Sequence, residues 1–326
     1  MIKQLVAFYF LGTSLMGLAQ SYHDAPGADG SIAISKDSSC FVAWATNGIL
    51  SRGYLDINDT LVTDSGSNRA SFGVLENALG PAEGDGMTVV SLGDAGTITL
   101  TFNQPITNGP GYDFAIFENS FIDHYMEFAF VEVSSNGTDF VRFPNDSEIP
   151  FISQLGNASL ADCRMVNNLA GKYRAGFGTP FDLSEIQGVN DSVDVTSITH
   201  IRLIDVVGAI TGTHVSYDSD NQPINDPYPT PFPSCGFDLD AIGVINQFVG
   251  IEENKLSSWY VYPNPSMGTV RFSEKWIGKE IRILNHCGQF MFSKVLETNE
   301  IYLESLLSGI YLIQCEGVTK TLVIQN

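Results

Sequence analysis

Basic residues are scarce in this sequence. Its 326 residues include 16 lysines and arginines against 37 aspartates and glutamates, which gives a net charge of −21. The imbalance is local, because residues 21–250 hold 29 of the acidic side chains and only 8 basic ones. A domain this anionic repels phosphate backbones and anionic lipid headgroups. The composition therefore argues against nucleic acid as a partner and favours either solubility through charge or the binding of cations.

A long apolar run is also missing. The most apolar stretch, Leu5–Leu18, is interrupted by glycine, threonine and serine and is shorter than the roughly 20 residues that a bilayer span needs. With Lys3 before it and Ala19 after it, this stretch has the pattern of a secretory signal peptide. We expect cleavage after Ala19, so that residues 1–19 are removed and the mature protein has no transmembrane span.

Cysteine, histidine and catalytic motifs are few. The five cysteines and five histidines show no zinc or redox spacing, and no Gly-x-Ser-x-Gly, His-Glu-x-x-His or phosphate-binding glycine motif occurs. Export permits disulfides, and we predict a bond between Cys40 and Cys235, because they flank the first and last predicted strands of the acidic region. Cys163 is then left over, and Cys287 and Cys315 are expected to be free or locally bonded.

The sequence does contain a succession of short β-patterned runs, separated by Gly, Asn, Asp and Pro. Helical periodicity is nearly absent, so we predict an all-β protein. It should comprise a jelly-roll-like sandwich over residues 20–247, a polar linker over 248–259 and a small Ig-like sandwich over 260–326. The predicted strands of the first sandwich are Phe41–Thr46, Thr97–Phe102, Tyr112–Phe117, Glu127–Ser134, Phe140–Phe143, Ile198–Val207 and Phe237–Ile245.

Carboxylates fall on strand positions that should face the core. Asp238 and Asp240 are spaced to share a face with Ile242 and Val244, and three further acids follow the same rule: Glu118, Glu132 and Asp205. A buried carboxylate needs a partner, which is either an ordinary hydrogen-bond donor or a hard cation such as Ca²⁺. The candidate calcium ligands are Asp218, Asp220, Asp226, Asp238 and Asp240.

From residue 260 onward the composition changes and new motifs occur. Tyr262-Pro263-Asn264-Pro265 is followed by Gly268, and Ser308-Gly309-Ile310-Tyr311 precedes a last strand pattern. This combination resembles the type A C-terminal sorting domain of type IX secretion, which the Bacteroidota use. The resemblance implies passage through the outer membrane by the type IX machinery, then removal of this domain and release or attachment to surface polysaccharide. The candidate sorting residues are Tyr262, Pro263, Asn264, Pro265, Gly268 and Gly309.

The acidic region also resembles a known family. Segments such as Asp113–Asn119 and Gly236–Ala241 are similar to a family of bacterial cell-surface proteins over residues 40–246. The resemblance implies a jelly-roll sandwich akin to carbohydrate-binding modules. It implies no particular activity, because none is established for that family. Such modules present aromatic side chains to sugar rings, and a long connection, residues 212–236, is where we look first. The candidate ligand-binding residues there are Tyr217, Tyr228 and Phe232.

Two exposed-looking triplets, around Thr60 and Ser192, resemble the Asp-Ser/Thr-apolar sites that are glycosylated on exported proteins of this phylum. Together these features predict a secreted or cell-surface protein that binds a glycan or mediates adhesion, with calcium as a candidate ion. The alternatives are a secreted glycan-active hydrolase that uses acids such as Asp238, Asp240 and Glu118, or a purely structural surface component. The sequence favours a binding protein over an enzyme, because it contains no recognisable catalytic motif.

Overall fold

The computed structural model describes residues 22–247, 260–303, 305–315 and 318–325. The chain divides into two compact units, residues 1–248 and 249–326. Within the described ranges, no helix has the length and apolar character to cross a membrane. The predicted signal peptide and the predicted linker lie outside the described residues.

The described part of the first unit consists of short strands and three single-turn 3₁₀ helices, at Leu75–Ala78, Cys163–Met165 and Leu183–Ile186. Its strands are β1 (Ile34–Ser35), β2 (Ala43–Trp44), β3 (Asn47–Ser51), β4 (Val90–Ser91), β5 (Thr97–Ile106), β6 (Phe114–Glu118), β7 (Ala129–Ser134), β8 (Val141–Arg142), β9 (Asp146–Ser147), β10 (Val166–Asn167), β11 (Phe177–Phe181), β12 (Ile198–Asp205) and β13 (Asp238–Val244).

These strands form two antiparallel sheets. One has the order β1-β11-β6-β13-β2, with β4 also paired to β13, and the other has the order β3-β5-β12-β7-β8; β9 and β10 pair separately. Every predicted strand overlaps an observed one, so the all-β sandwich prediction is confirmed. A turn follows β7, with Gly137 at φ +77° and its amide donating to the Ser134 hydroxyl.

The core of the first unit lies between the two sheets. In β5, Ile98 and Leu100 are fully buried while the intervening threonines are partly exposed, as the alternation predicts. Leu203 of β12 packs in the same cluster, together with Phe114 and Ile242 from the opposite sheet. Each such side chain contributes about 1.5–3 kcal/mol through burial, and the packed layer positions the loops at the sheet ends.

The predicted Cys40–Cys235 disulfide is wrong, since both thiols are free. The strand argument behind it was correct in one respect, because β2 does pair with β13. That antiparallel pairing places Cys40 beside the C-terminal end of β13, whereas Cys235 precedes its N-terminal end. The length of β13 separates them by roughly 20 Å, whereas a disulfide needs Cα atoms within about 7 Å.

The second unit is a smaller all-β body with one 3₁₀ turn at Glu274–Trp276. It has a three-stranded sheet, β14-β15-β18, and a four-stranded sheet, β17-β16-β19-β20. Its own buried cluster includes Phe272, Ile281 and Leu322. The strands are β14 (Val261–Tyr262), β15 (Thr269–Phe272), β16 (Glu280–Asn285), β17 (Phe290–Val295), β18 (Glu300–Tyr302), β19 (Gly309–Cys315) and β20 (Val318–Ile324).

The Tyr-Pro-Asn-Pro motif ties the start of this unit to its last strand. The Asn264 side chain donates from Nδ2 to the carbonyl of Thr321 (2.8 Å) and accepts at Oδ1 from the amide of Val323 (2.8 Å). The next turn has Gly268 at φ +100°, a backbone conformation that residues other than glycine rarely adopt. The Asn264 side chain therefore caps the edge of the sheet by bonding to the main chain of β20.

The other sorting residues occupy strand ends. Tyr262 ends β14 and is half exposed, and Pro263 and Pro265 follow it. Gly309 begins β19 and lies opposite Ile324 of β20. Asn264 and Gly309, from distant parts of the motif, thus both lie beside β20.

Replacing Asn264 with alanine removes both bonds to β20. We expect the Val323 amide to exchange with solvent about tenfold faster, because each lost hydrogen bond is worth about 1 kcal/mol. Hydrogen exchange of the full chain, read by mass spectrometry on its C-terminal peptides, measures this. Lys294→Ala, an exposed change in β17, is the control, and equal protection in both variants would contradict the role of Asn264.

Candidate ligand-binding cleft

A cleft of about 520 Å³ opens in the first unit. This volume suits a small molecule or a short oligomer. The long connection predicted to carry function supplies one side of it through Phe232, which is 48% exposed. The other large apolar lining residues are Phe72, Met87, Phe121, Ile122 and Leu160.

Phe121 forms the most exposed part of the wall. It is 75% exposed, although phenylalanine is usually buried. Its ring packs over Gly86, where an added Cβ would lie 2.2 Å from Cε1 of the ring. The absence of a side chain at Gly86 is therefore what lets the ring lie along the cleft. Such an exposed apolar cluster marks a contact surface for a ligand or partner.

The floor of the cleft is polar and acidic. Glu127 and Asp238 line it while being only 8% and 4% exposed. Asn119 lies beside them and donates from Nδ2 to Oδ2 of Asp238 (3.0 Å). Glu118 lies behind this layer, fully buried, and its Oε2 accepts from the amide of Ser120 (2.8 Å). The cleft thus combines an apolar wall with convergent carboxyl groups.

A β-bulge at Asp240 directs Asp238 toward the cleft. The pairing of β13 with β6 shifts register between Leu239 and Ala241. As a result, the core contains Leu239 before the bulge and Ile242 after it. An uninterrupted strand would put Asp238 on the core face with Ile242, and that prediction is wrong because the extra residue reverses the alternation.

Burial and mutual repulsion perturb the acids of the floor. Burial raises the pKa of Asp238 to about 7, against the lowering effect of the hydrogen bond from Asn119. Burial also raises the pKa of Glu118 and of Glu127 well above the ordinary range, and the negative charge of Asp238 raises both further. Both effects favour the protonated, uncharged form of these carboxyl groups.

Arg52 is the cation whose charge acts on Asp238 and lowers its pKa. Its guanidinium donates to the carbonyls of Phe72 (2.7 Å), Ser91 (2.5 Å) and Gly73 (2.7 Å). These donors are thus committed to the main chain. Arg52 holds the loop that carries Phe72 into the cleft and leaves the acids of the floor only partly compensated.

Most other buried acids hold loops in place. Asp205 accepts from the amides of Phe237 (2.7 Å) and Ala95 (3.0 Å), and Asp240 accepts from the amides of residues 83 and 84 (3.0 and 2.9 Å). A carboxylate that accepts main-chain N–H groups satisfies donors that would otherwise be orphaned. The same role is played by Asp94, Asp113, Asp218 and Asp226.

Glu132 is held differently. Val131 and Val133 of β7 pack in the core between the two sheets, whereas Glu132 lies on the opposite face with Phe130, which belongs to a second buried cluster. Glu132 is only 7% exposed, in keeping with the predicted face. Arg142 pairs with it at 2.8 Å and Arg202 Nε donates to it at 2.7 Å, so arginines supply its partners.

The structure does not bring the five predicted calcium ligands together. Asp238 lines the cleft, whereas Asp240 bonds to the 83–84 loop and Asp218 accepts from the amides of Ser147 and Gln222. Asp226 accepts from the amide of Phe128, and Asp220 is exposed. Hydrogen bonds are thus the partners that the structure shows for these acids, and calcium binding itself stays a prediction.

One group of potential metal ligands does converge elsewhere in the described residues. The ligand atoms of His124, Asp162 and Cys163 lie within 4.8 Å of one another. Arg164, however, pairs with Asp162 at 2.6 Å, and its hydrogen bond holds the pKa of that carboxyl at about 2. Burial raises the pKa of Cys163 to about 11. A guanidinium at the carboxylate and a protonated thiol make this group a poor cation site.

The predicted ligand-binding aromatics separate into two sets. Phe232 lines the cleft, but Tyr217 is exposed elsewhere and the Tyr228 hydroxyl donates to Asp56 (2.5 Å) outside it. Sequence reasoning missed Glu127 and Phe121. The sequence does show an acid and an aromatic residue in the short segment between β6 and β7. It does not show that this segment lies beside Asp238 of β13, because the two are far apart along the chain.

Two remaining predictions concern exposed loops. Thr60 and Ser192 are both exposed, as a glycosylation site must be, and their modification stays a prediction. The hydrolase alternative paired Asp238 with Asp240 and Glu118. In the cleft the neighbour of Asp238 is Glu127 instead, because Asp240 is bonded to a loop and Glu118 lies behind the floor.

The raised pKa values predict a pH-dependent stability. A carboxyl group whose pKa is higher in the folded than in the unfolded state stabilises the fold below its unfolded pKa, and this contribution is lost as the pH rises through the folded value. For Asp238 the window runs from about pH 4 to about pH 7. The melting temperature of the first unit should therefore be several degrees higher at about pH 5 than at about pH 8.

Asp238→Asn provides the control for this prediction. The amide is nearly isosteric and does not titrate, so the variant should show a flatter dependence of melting temperature on pH. Differential scanning calorimetry at matched ionic strength measures both curves. Parallel curves for the two proteins would show that Asp238 does not take up a proton on folding in this range.

Comparison with known proteins identifies the second unit. The family model described as "Secretion system C-terminal sorting domain" matches residues 260–325. No curated protein matches the chain. Three solved structures give weak likenesses: PorZ, a bacterial surface component of the type IX secretion system of Porphyromonas gingivalis (10% identity, TM-score 0.19), the BSP domain of a biofilm-associated protein (10%, 0.21) and a β-glucuronidase of Faecalibacterium prausnitzii (11%, 0.18).

The matched regions cover 82%, 89% and 90% of this chain but only 47%, 53% and 46% of those structures, so the chain spans about half of their length. The TM-scores are too low to establish a shared fold. The family match, in contrast, agrees with the motif at residues 262–265 and with the compact second unit. Residues 260–325 are therefore a type IX secretion C-terminal sorting domain, which directs the protein across the outer membrane to the cell surface or the extracellular space.

Proposed function

We propose that the first unit of this exported protein is a carbohydrate-binding module and that the cleft is its binding site. The observation that carries the proposal is the combination of exposed aromatic rings with buried polar groups in one cavity. Phe121 and Phe232 form the wall, and Asn119, Glu127 and Asp238 form the floor.

This combination matches the surface of a sugar. One face of a pyranose ring presents C–H groups, which pack on an aromatic ring, while the hydroxyls at its rim need donors and acceptors. In the cleft, Asp238 and Asn119 supply both, and Tyr125 lies beside them with its hydroxyl donating to the carbonyl of Asn157 (3.1 Å). A sandwich with such a site, carried to the surface by a sorting domain, is suited to holding the protein or its cell on a glycan.

Hydrolysis is the second candidate, and one observation favours it. Glu127 and Asp238 are two carboxyl groups in one cleft, and burial raises the pKa of each. A protonated acid beside an ionisable partner is the arrangement that glycoside hydrolysis requires. Release of reducing ends from a bound oligosaccharide would identify this activity, whereas binding without release identifies a module.

A substitution in the aromatic wall tests whether the cleft binds glycans. Phe232→Ala should weaken glycan binding about tenfold, because a stacked aromatic at the centre of a site contributes more than about 1 kcal/mol. Screening the mature chain on a glycan array identifies a ligand, and isothermal titration then measures its affinity for each variant.

Tyr217→Ala is the matched control. Tyr217 is 51% exposed, close to the 48% of Phe232, and it lies in the same long connection but outside the cleft. Its removal should leave the affinity unchanged. Equal losses in both variants, or no loss in Phe232→Ala, would place the binding site elsewhere.

A further inference from the structure

We propose that the glycan held in the cleft carries a protonated amine, which binds to the carboxyl groups of Glu127 and Asp238. This inference rests on the proposed carbohydrate binding and specifies the class of sugar. A free amino sugar is the chemistry that the floor of the cleft recognises.

The first observation is a buried acid without a partner. The Glu127 side chain is 92% shielded and lines the cleft, yet it makes no hydrogen bond or ion pair with any described residue. Behind it, Oε1 of Glu118 is buried and also has no hydrogen-bond partner in the described part of the chain. Oδ1 of Asp238, in the floor of the cleft, and Oδ1 of Asp226 are likewise buried without a hydrogen-bond partner, although the other oxygen of each carboxyl group accepts from an amide. Glu127 differs in that neither of its oxygens has a partner among the described residues, and a ligand could supply one.

The second observation is the absence of positive charge around it. The described residues that line the cleft include two acids and no lysine, arginine or histidine. The groups whose charges act on Glu127 are Asp238, Glu118, Asp226 and Asp205, all of them acidic. Arg52 acts on Asp238, but its donors are bonded to main-chain carbonyls. No described cation in the cleft therefore compensates the ionised form of Glu127.

An ammonium group is a better partner than a hydroxyl for the carboxyl groups of the cleft floor. A sugar hydroxyl donates one hydrogen bond, whereas an ammonium group donates three and adds a positive charge. The rings of Phe121, Phe232 and Tyr125 around the floor add favourable cation–π interactions. A bare metal ion fits less well, because Ca²⁺ needs about six to eight oxygens and the wall is apolar.

Proton release provides an independent sign of the same contact. Burial raises the pKa of Asp238 and of Glu127, which favours their protonated form when no cation is bound beside them. An ammonium group favours their ionised form and displaces these protons. Titration in two buffers with different ionisation heats measures the number released.

The test compares two oligosaccharides that differ only at nitrogen. The glucosamine tetramer carries free amines, and the N-acetylglucosamine tetramer carries neutral amides on the same ring frame. Isothermal titration of the mature chain at about pH 6, where the sugar amines are already protonated, should show tighter binding of the free amine, by about tenfold or more. It should also show proton release with the amine and none with the amide.

Two nearly isosteric variants test whether the floor residues cause the tighter binding of the free amine. Glu127→Gln and Asp238→Asn should each lower the affinity for the glucosamine tetramer about tenfold and leave that for the acetylated tetramer nearly unchanged. Asp29→Asn, an equal loss of charge at an exposed position, should change neither. Thermal melting confirms that each variant folds, and the proton count in the unmodified protein does not depend on the variants.

The outcomes separate this inference from the proposed function. If both tetramers bind equally and Phe232→Ala weakens both, carbohydrate binding in the cleft is supported, and the inference that the cleft recognises a protonated amine is wrong. Binding of neither tetramer would overturn the amine and remove these sugars as ligands of the cleft. A preference for the amine that survives both floor variants would overturn the assignment to Glu127 and Asp238.

Discussion

The structure of the first unit depends on how its buried carboxylates find hydrogen-bond donors, because the domain has very few basic side chains. Each buried acid needs a donor, and arginines serve few of them, as at Glu132. The remaining acids accept main-chain amides instead, and Asp205 and Asp240 thereby connect loops to the ends of β12 and β13. The same chemistry that satisfies the acids thus fixes the loops, and the acids that no amide reaches are left at the floor of the cleft.

The cleft exists because two local irregularities coincide. The bulge at Asp240 turns Asp238 away from the core, and the bare main chain at Gly86 makes room for Phe121. Either feature alone would leave a buried acid or an exposed ring. Together they place a carboxyl group beneath an aromatic wall, in a volume that a few sugar rings can fill.

The two units solve different problems. The first contains the cleft, and its buried acids are expected to make its stability depend on pH. The second is recognised by the export machinery, and its structure closes on itself through Asn264, whose amide side chain takes the place of a strand at β20. The sorting motif is therefore also a folding element, since the residues that identify the family make the hydrogen bonds that complete the sheet.

The sequence by itself determined whatever depends on near neighbours along the chain. Alternation in β5 predicted its buried face, and the motif at residues 262–265 identified the sorting domain. It also located the long connection that contributes Phe232. It did not reveal that Glu127 meets Asp238, that Cys40 and Cys235 lie at opposite ends of β13, or that Asp238 leaves the core face. These facts depend on sheet order, strand register and one inserted residue, which arise from contacts between segments far apart in sequence, and only the tertiary structure decides them.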